Sequence, residues 1–379
     1  MKKNILLILG LTFFLGNVNA QDIYFPKSGE WQEKSASTYK LDLSEVIEFA
    51  KTNEYSESKD LRQVILKGFQ HEPYHEILGP TKRRGGPAGI ILKNGYIVAK
   101  WGDTKRVDMT FSVTKSFLST VALLAKDQKL ISDFNEPVIN YVWDDTFEGD
   151  HNSKITWEHL LQQNSDWSGQ LWGGFDWADR PPRDQSIDEW RSRELHEPGT
   201  HYKYNDVRVN VLAYSLLNVF RKPLPHVLKG NIMDPINAST TWRWFGYENS
   251  WTTIDGFKMQ SVSGGGHSGG GMFINTEDMA RFGLLFMNNG KWEDKELISQ
   301  ELIQETMQPS TTNPNYGYMW WLNSEGDRHM ENMETDIFYA AGFGGNFIVV
   351  DQTNNLVIVT RWLEPSKLEE FLNLIYKNI

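Results

Sequence analysis

Ser112 and Lys115 stand three residues apart in MTFSVTKSFLSTVALLAK, residues 109–126. A serine hydroxyl is a weak nucleophile until a base takes its proton, and an amine one helical turn away can reach it. Lysine is poorly suited to that task at its ordinary pKa. Roughly one side chain in 2,500 is neutral at pH 7, a deficit of about 4.6 kcal/mol. Burial disfavours the ammonium and shrinks the deficit. The surrounding residues supply such burial: Phe117, Leu118, Val121, Leu123 and Leu124 cover several faces of the predicted helix. Ser112, Lys115, Ser116 and Ser119 form its polar stripe at i, i+3, i+4 and i+7. The stripe is read as an active-site face carrying an uncharged Lys115 amine beside Ser112.

The elements that hold this helix are legible around it. AGIILKNGYIVAKW, residues 88–101, is a hairpin turning at Asn94-Gly95. GGNFIVVDQTNNLVIVTRW repeats the pattern near the other end, with its turn at Thr353 to Asn355, and an amphipathic helix follows at about Ser366 to Lys377. Between the hairpins the signals are mostly helical. Thr156 is placed as the cap of ITWEHLLQQ, a helix covers Val207 to Phe220, and Thr276 is placed as the cap of EDMARFGLLFM. Uniting the hairpins gives an α/β (α+β) architecture, with one antiparallel sheet built from both chain ends, flanked by helices, and an inserted mostly helical lobe.

Ser112-Val113-Thr114-Lys115 resembles the S-x-x-K motif of the serine β-lactamase and penicillin-binding protein superfamily. PGTHYKYNDVRVNVLAYSLL, residues 198–217, resembles the P-G…Y-x-N segment of class C β-lactamases and related esterases, with Asp206 where the family usually has asparagine. FYAAGFGGNFIVVD, residues 338–351, is similar to the K-T-G or H-T-G strand, with Ala340-Ala341-Gly342 in its place. QQNSDWSGQLWGGFDWADRP and SGGGHSGGGMFINTEDMARFG resemble stretches of aminohexanoate-dimer hydrolases and esterases. The likeness runs from about Gly85 to Trp362.

The resemblance implies a serine hydrolase of β-lactamase-like fold acting through an acyl-enzyme on Ser112, with Lys115 and Tyr204 moving protons. The N–H groups of Phe343 and Ser112 would hold the oxyanion, with Gly342 letting the substrate lie against its strand. It implies an α/β lobe at about 21–125 plus 275–379 and a helical lobe at about 126–274. Asp206 is either a site residue, holding Lys115 charged or binding a cationic substrate, or the cap of the helix that starts at Val207. His267 is read as lining the pocket, the alternative being a bond within its own turn. Trp167, Trp172 and Trp177 are read as packing. The two departures favour a small-molecule ester or linear amide as substrate. The alternatives are a β-lactamase or D-amino-acid peptidase, and a catalytically silent binding or sensor protein on the same fold.

Two literal motifs are refused. His71-Glu72-Pro73-Tyr74-His75 spells H-E-x-x-H, but a proline inside the helix that zinc proteases need costs about 3 kcal/mol. Gly264, Gly266 and Gly269 spell G-x-G-x-x-G without the helix and acidic partner of a dinucleotide site. The chemistry read here needs no metal or organic cofactor.

Lys2 and Lys3 before an apolar run, with Val18 and Ala20 at cleavage spacing, read as a signal peptide over residues 1–20. A periplasmic or secreted location follows, and no lipobox cysteine is present. The chain has no cysteine at all, which excludes disulfides and thiolate chemistry. The net charge of −11, more negative still without Lys2 and Lys3, argues against nucleic acid. No later stretch reaches about 18 apolar residues, so no membrane span is expected.

Overall fold

The computed structural model describes residues 23–325, 330–331, 333–377 and 379. The signal-peptide reading lies outside them. A six-stranded antiparallel sheet is made from strands at both ends of this span: β1 (Ala88–Lys93), β2 (Tyr96–Trp101), β7 (Trp321–Leu322), β8 (Phe338–Gly342), β9 (Asn346–Asp351) and β10 (Leu356–Arg361), in the order β7-β8-β9-β10-β1-β2. The closing pair sets Ile90 against Val359 and Ile91 against Ile358.

These strands read as unbroken apolar runs because both faces are covered. Ile90, Leu92, Ile348, Val357 and Val359 pack with Phe117 and Phe282 in the larger core. Ile91, Val349, Leu356 and Ile358 face Val46, Phe371 and Leu372 in the second. The first core is served by α3 (Thr114–Asp127) and α5 (Thr276–Met287), the second by α1 (Ser44–Thr52) and α6 (Leu368–Tyr376), with α2 (Leu61–Gly68) and α4 (Asp206–Phe220) completing the helices that matter to the site. α5 lies so close to the sheet that a Cβ on Gly283 would meet Val357 at 2.6 Å.

The expected helical middle also contains a second antiparallel sheet, which the sequence reading missed: β3 (Asp108–Met109), β6 (Gly271–Ile274), β4 (Arg243–Ile254) and β5 (Phe257–Val262), in that spatial order. The pairing of β4 with β5 shifts register between Gly246 and Trp251, which breaks the twofold alternation that would have marked the strand.

Two caps also differ from expectation. Asn205, not Asp206, caps α4 by accepting the Arg208 N–H at 3.1 Å. Asn275, not Thr276, caps α5 through the Asp278 N–H. An amide oxygen serves at either end, and Asp206 is thereby released for other contacts. Thr156 does cap the Trp157–Leu161 helix, in a capping box with His159. No helix among the described residues is long and apolar enough to cross a membrane.

Candidate active site

Ser112 sits in a 3₁₀ turn, Phe111–Val113, just before α3. Phe111 enters that turn at φ +48, a left-handed conformation costly for an aromatic residue. Its ring is held by Phe343, 5.2 Å away between centroids, and by Trp362 at 6.5 Å. The turn leaves Ser112 partly exposed while Lys115 is 1% exposed. Lys115 Nζ donates to Ser112 Oγ at 2.9 Å. The stripe ends there. Ser116 donates to the Met319 carbonyl and Ser119 to the Ser116 carbonyl, so neither faces the site. Buried hydroxyls on a core helix bond to the nearest carbonyl instead.

Lys115 Nζ also lies 2.6 Å from Asp206 Oδ1, and both side chains are sealed from solvent. This corrects the expectation of a neutral amine. Burial does disfavour the ammonium, but the Asp206 carboxylate overrides it and holds Lys115 above the ordinary lysine value. Burial likewise penalises the Asp206 carboxylate, yet Lys115, Arg180 and His267 keep it well below the usual range. Its place in the first turn of α4 adds the favourable end of the helix dipole. The approach of the two side chains depends on Gly265: a Cβ there would sit 1.8 Å from Asp206 Oδ1 and 2.4 Å from Lys115 Nζ.

The cluster extends further. Arg180 reaches Asp206 Oδ2 at 2.6 Å and Asp179 Oδ1 at 2.7 Å. His267 Nδ1 lies 3.5 Å from Asp206 Oδ2, and its Nε2 is 2.7 Å from Glu72 Oε2. Burial and Arg180 both disfavour a charged imidazole, but Asp179, Asp206 and Glu72 together push His267 up to about 9. Three carboxylates thus face Lys115, Arg180 and His267, and Arg180 Nη2 also approaches His267 Nδ1 at 3.1 Å. Glu72 belongs to the refused H-E-x-x-H string, and α2 ends at Gly68, ahead of it. His75 bonds to the Glu72 carbonyl rather than sharing a face with His71.

A cavity of about 560 Å³ opens over the pair, within the roughly 300–1,000 Å³ range of small-molecule sites. Ser112, Tyr204, Asp206, His267, Gly342 and Phe343 all line it. The Tyr204 ring face is 4.6 Å from Lys115 Nζ. Gly342 ends β8 against the turn before the serine; a Cβ there would lie 2.1 Å from the Thr110 carbonyl oxygen. The chain then turns through Phe343, whose carbonyl accepts from Asn346 Nδ2 at 2.7 Å. Trp167, Trp172 and Trp177 do not line this cavity. Trp167 is buried and donates to the Thr146 carbonyl, while Trp172 packs edge-on to Tyr214 and Tyr247.

Sequence reasoning missed Arg180, Asp179, Glu72, Gly265 and Trp321. Asp179 and Arg180 lie inside the quoted DWADRP stretch, which was the available signal. Gly265 was visible only as one of several neighbouring glycines.

The sheet of both chain ends, the Ser–Lys turn and the cavity above it define the architecture of serine hydrolases of the β-lactamase fold. The chain belongs to the Beta-lactamase family, whose model matches residues 77–361. Three solved structures illustrate the likeness. A penicillin-binding protein homologue from Caulobacter crescentus is 13% identical, with a TM-score of 0.57 over 84% of this chain and 98% of its own. A family VIII carboxylesterase is 16% identical, with a TM-score of 0.57 over 84% and 96%. A Bacillus anthracis protein provisionally assigned as a 6-aminohexanoate-dimer hydrolase is 15% identical, with a TM-score of 0.57 over 94% and 89%. Among curated proteins no significant match is found.

Proposed function

We propose that the protein is an exported serine hydrolase that cleaves an ester or amide through an acyl-enzyme on Ser112. The observation that carries this reading is the 2.9 Å contact between Lys115 Nζ and Ser112 Oγ at the edge of the cavity. Ser112 Oγ bonds to the substrate carbonyl carbon. The N–H groups of Ser112 and Phe343 are assigned to the oxyanion, with Gly342 keeping strand and turn together.

Lys115 must release a proton before it can accept that of Ser112, and Asp206 Oδ1 at 2.6 Å is an acceptor within reach. The serine proton thereby enters the Lys115–Asp206 pair. It returns, through Lys115 and Tyr204, to the departing alcohol or amine as the carbonyl–oxygen or carbonyl–nitrogen bond breaks. Water then attacks the acyl carbon and releases the acid, restoring the Ser112 proton. Arg180 and His267 hold Asp206 in place. Export is supported by the lysine-led apolar segment at the start of the sequence.

One observation favours a second reading, a binding or sensor protein that does not turn over. The free protein holds Lys115 as an ammonium, which donates to Ser112 instead of accepting from it. A fluorophosphonate decides between them. A single adduct by intact mass, mapped to Ser112 and lost in Ser112→Ala, supports the hydrolase. No adduct supports the binding protein, and efficient labelling elsewhere overturns the assignment. A chromogenic cephalosporin turned over faster than short acyl esters would move the activity to the β-lactamase side.

A further inference from the structure

Two aromatic walls flank the Ser112–Lys115 pair. On the serine side, Phe343 packs against Phe111 at 5.2 Å and Phe69 at 6.3 Å between ring centroids. On the lysine side, Trp321 stacks between Tyr204, at 6.1 Å and 22°, and Tyr339, at 6.4 Å and 17°. All six rings line the same cavity.

Its charges are already matched. Arg180, with a side chain 30% exposed, is the most accessible of the three cations in the cluster, and it is engaged by both Asp179 and Asp206. Lys115 is held by Asp206 and His267 by Glu72. An anionic substrate would have to draw Arg180 away from two carboxylates. A cationic one would compete with Lys115, Arg180 and His267 for theirs. Either exchange loses desolvated ion pairs that a neutral ligand leaves intact.

We infer that this cavity takes an uncharged ester or amide bearing an aromatic or bulky apolar group on each side of its carbonyl. The inference rests on the reading of the cavity as the hydrolase's substrate site, and it narrows that reading. An acyl ring would occupy one wall and a leaving-group ring the other, with the carbonyl between them at Ser112. Offset and edge-on ring contacts add to the apolar area removed from water on each side.

The test is calorimetric titration of the Ser112→Ala protein with four amides. N-benzylbenzamide has a ring on both sides, N-methylbenzamide and N-benzylacetamide have one each, and hippurate adds a carboxylate to the benzamide. N-benzylbenzamide should bind about tenfold or more tightly than either one-ring amide, the scale expected for burying a further ring. Hippurate should bind no more tightly than N-methylbenzamide. Adding Trp321→Ala should bring N-benzylbenzamide down to the one-ring level while one of the one-ring amides still binds as before, which also shows that the variant is folded.

Equal affinities for two-ring and one-ring amides, tighter binding of hippurate than of N-methylbenzamide, or no binding of any of the four would overturn the inference. Because Ser112 is absent from this experiment, its outcome is independent of turnover. A wild-type protein inert to fluorophosphonate would refute the hydrolase and leave the ligand class standing.

Discussion

Lys115 Nζ and Asp206 Oδ1 meet at 2.6 Å with both side chains buried at the floor of the cavity, and the same ammonium donates to Ser112. The resting state of the proposed nucleophile is therefore set by a carboxylate carried on another helix.

Replacing Asp206 by asparagine removes that counter-charge while keeping the shape. Burial and the neighbouring Arg180, which both disfavour the Lys115 ammonium, then lose their main opponent, and its proton affinity falls. If activity requires Lys115 to lose a proton, the rise of kcat with pH should move to lower pH by about one unit or more in Asp206→Asn. A pH–rate profile of both proteins on one ester checks this; an unmoved rise would remove Lys115 from the proton path.

Truncating Lys115 acts differently. Lys115→Ala leaves Asp206 buried without its main partner and should cost about 3–5 kcal/mol of stability. Ser112→Ala removes no charge. It should melt within about 0.5 kcal/mol of wild type while losing on the order of 10³-fold or more in kcat. Denaturant titrations beside ester kinetics separate the two effects.

Gly265→Ala should damage the site without removing a titrating group. The added methyl would overlap Asp206 Oδ1 and Lys115 Nζ, so the pair must part or the loop must shift. A loss of about 1–3 kcal/mol is expected, together with loss of fluorophosphonate labelling measured by intact mass.

Gly342→Ala meets backbone instead. Its Cβ would lie 2.1 Å from the Thr110 carbonyl, and β8 must retreat from the serine turn. A displacement of about 1 Å between nucleophile and oxyanion donors is expected to cost on the order of 10²-fold in kcat. KM for the same ester should change far less.

His267 gives the fold a pH limit on the alkaline side. Its folded pKa, pushed up to about 9, lies above the ordinary histidine value of about 6.5. The stability it contributes is fully present below about pH 6.5 and is lost as pH rises through about 9, on the order of 3 kcal/mol in total. Chemical denaturation between pH 6 and 10 should show this fall, and His267→Gln should flatten it.

Much of this molecule could be read in one dimension because the relevant signals are local. The Asn94-Gly95 turn, the apolar runs of the sheet and the S-x-x-K spacing each depend on residues a few positions apart. The charge cluster does not. Glu72, Asp179, Asp206 and His267 come from four separate segments, and only folding shows that Lys115 is answered by a carboxylate and not merely sheltered. A buried lysine looks the same in sequence whether or not it has a partner, so the neutral amine led the reading and a Lys115 held charged by Asp206 stood only as an alternative. Trp321 was hidden differently: a two-residue strand has too little pattern to announce which way its ring faces.

The pairing of β1 with β10 has a consequence for biogenesis. Ala88 lies opposite Arg361, so the central sheet cannot close on the ribosome until Arg361 has emerged. The β1–β2 hairpin must wait for a partner made much later, and the glycine-ended strand that borders Ser112 comes late as well. A chain wired in this way stays unlocked through most of its synthesis.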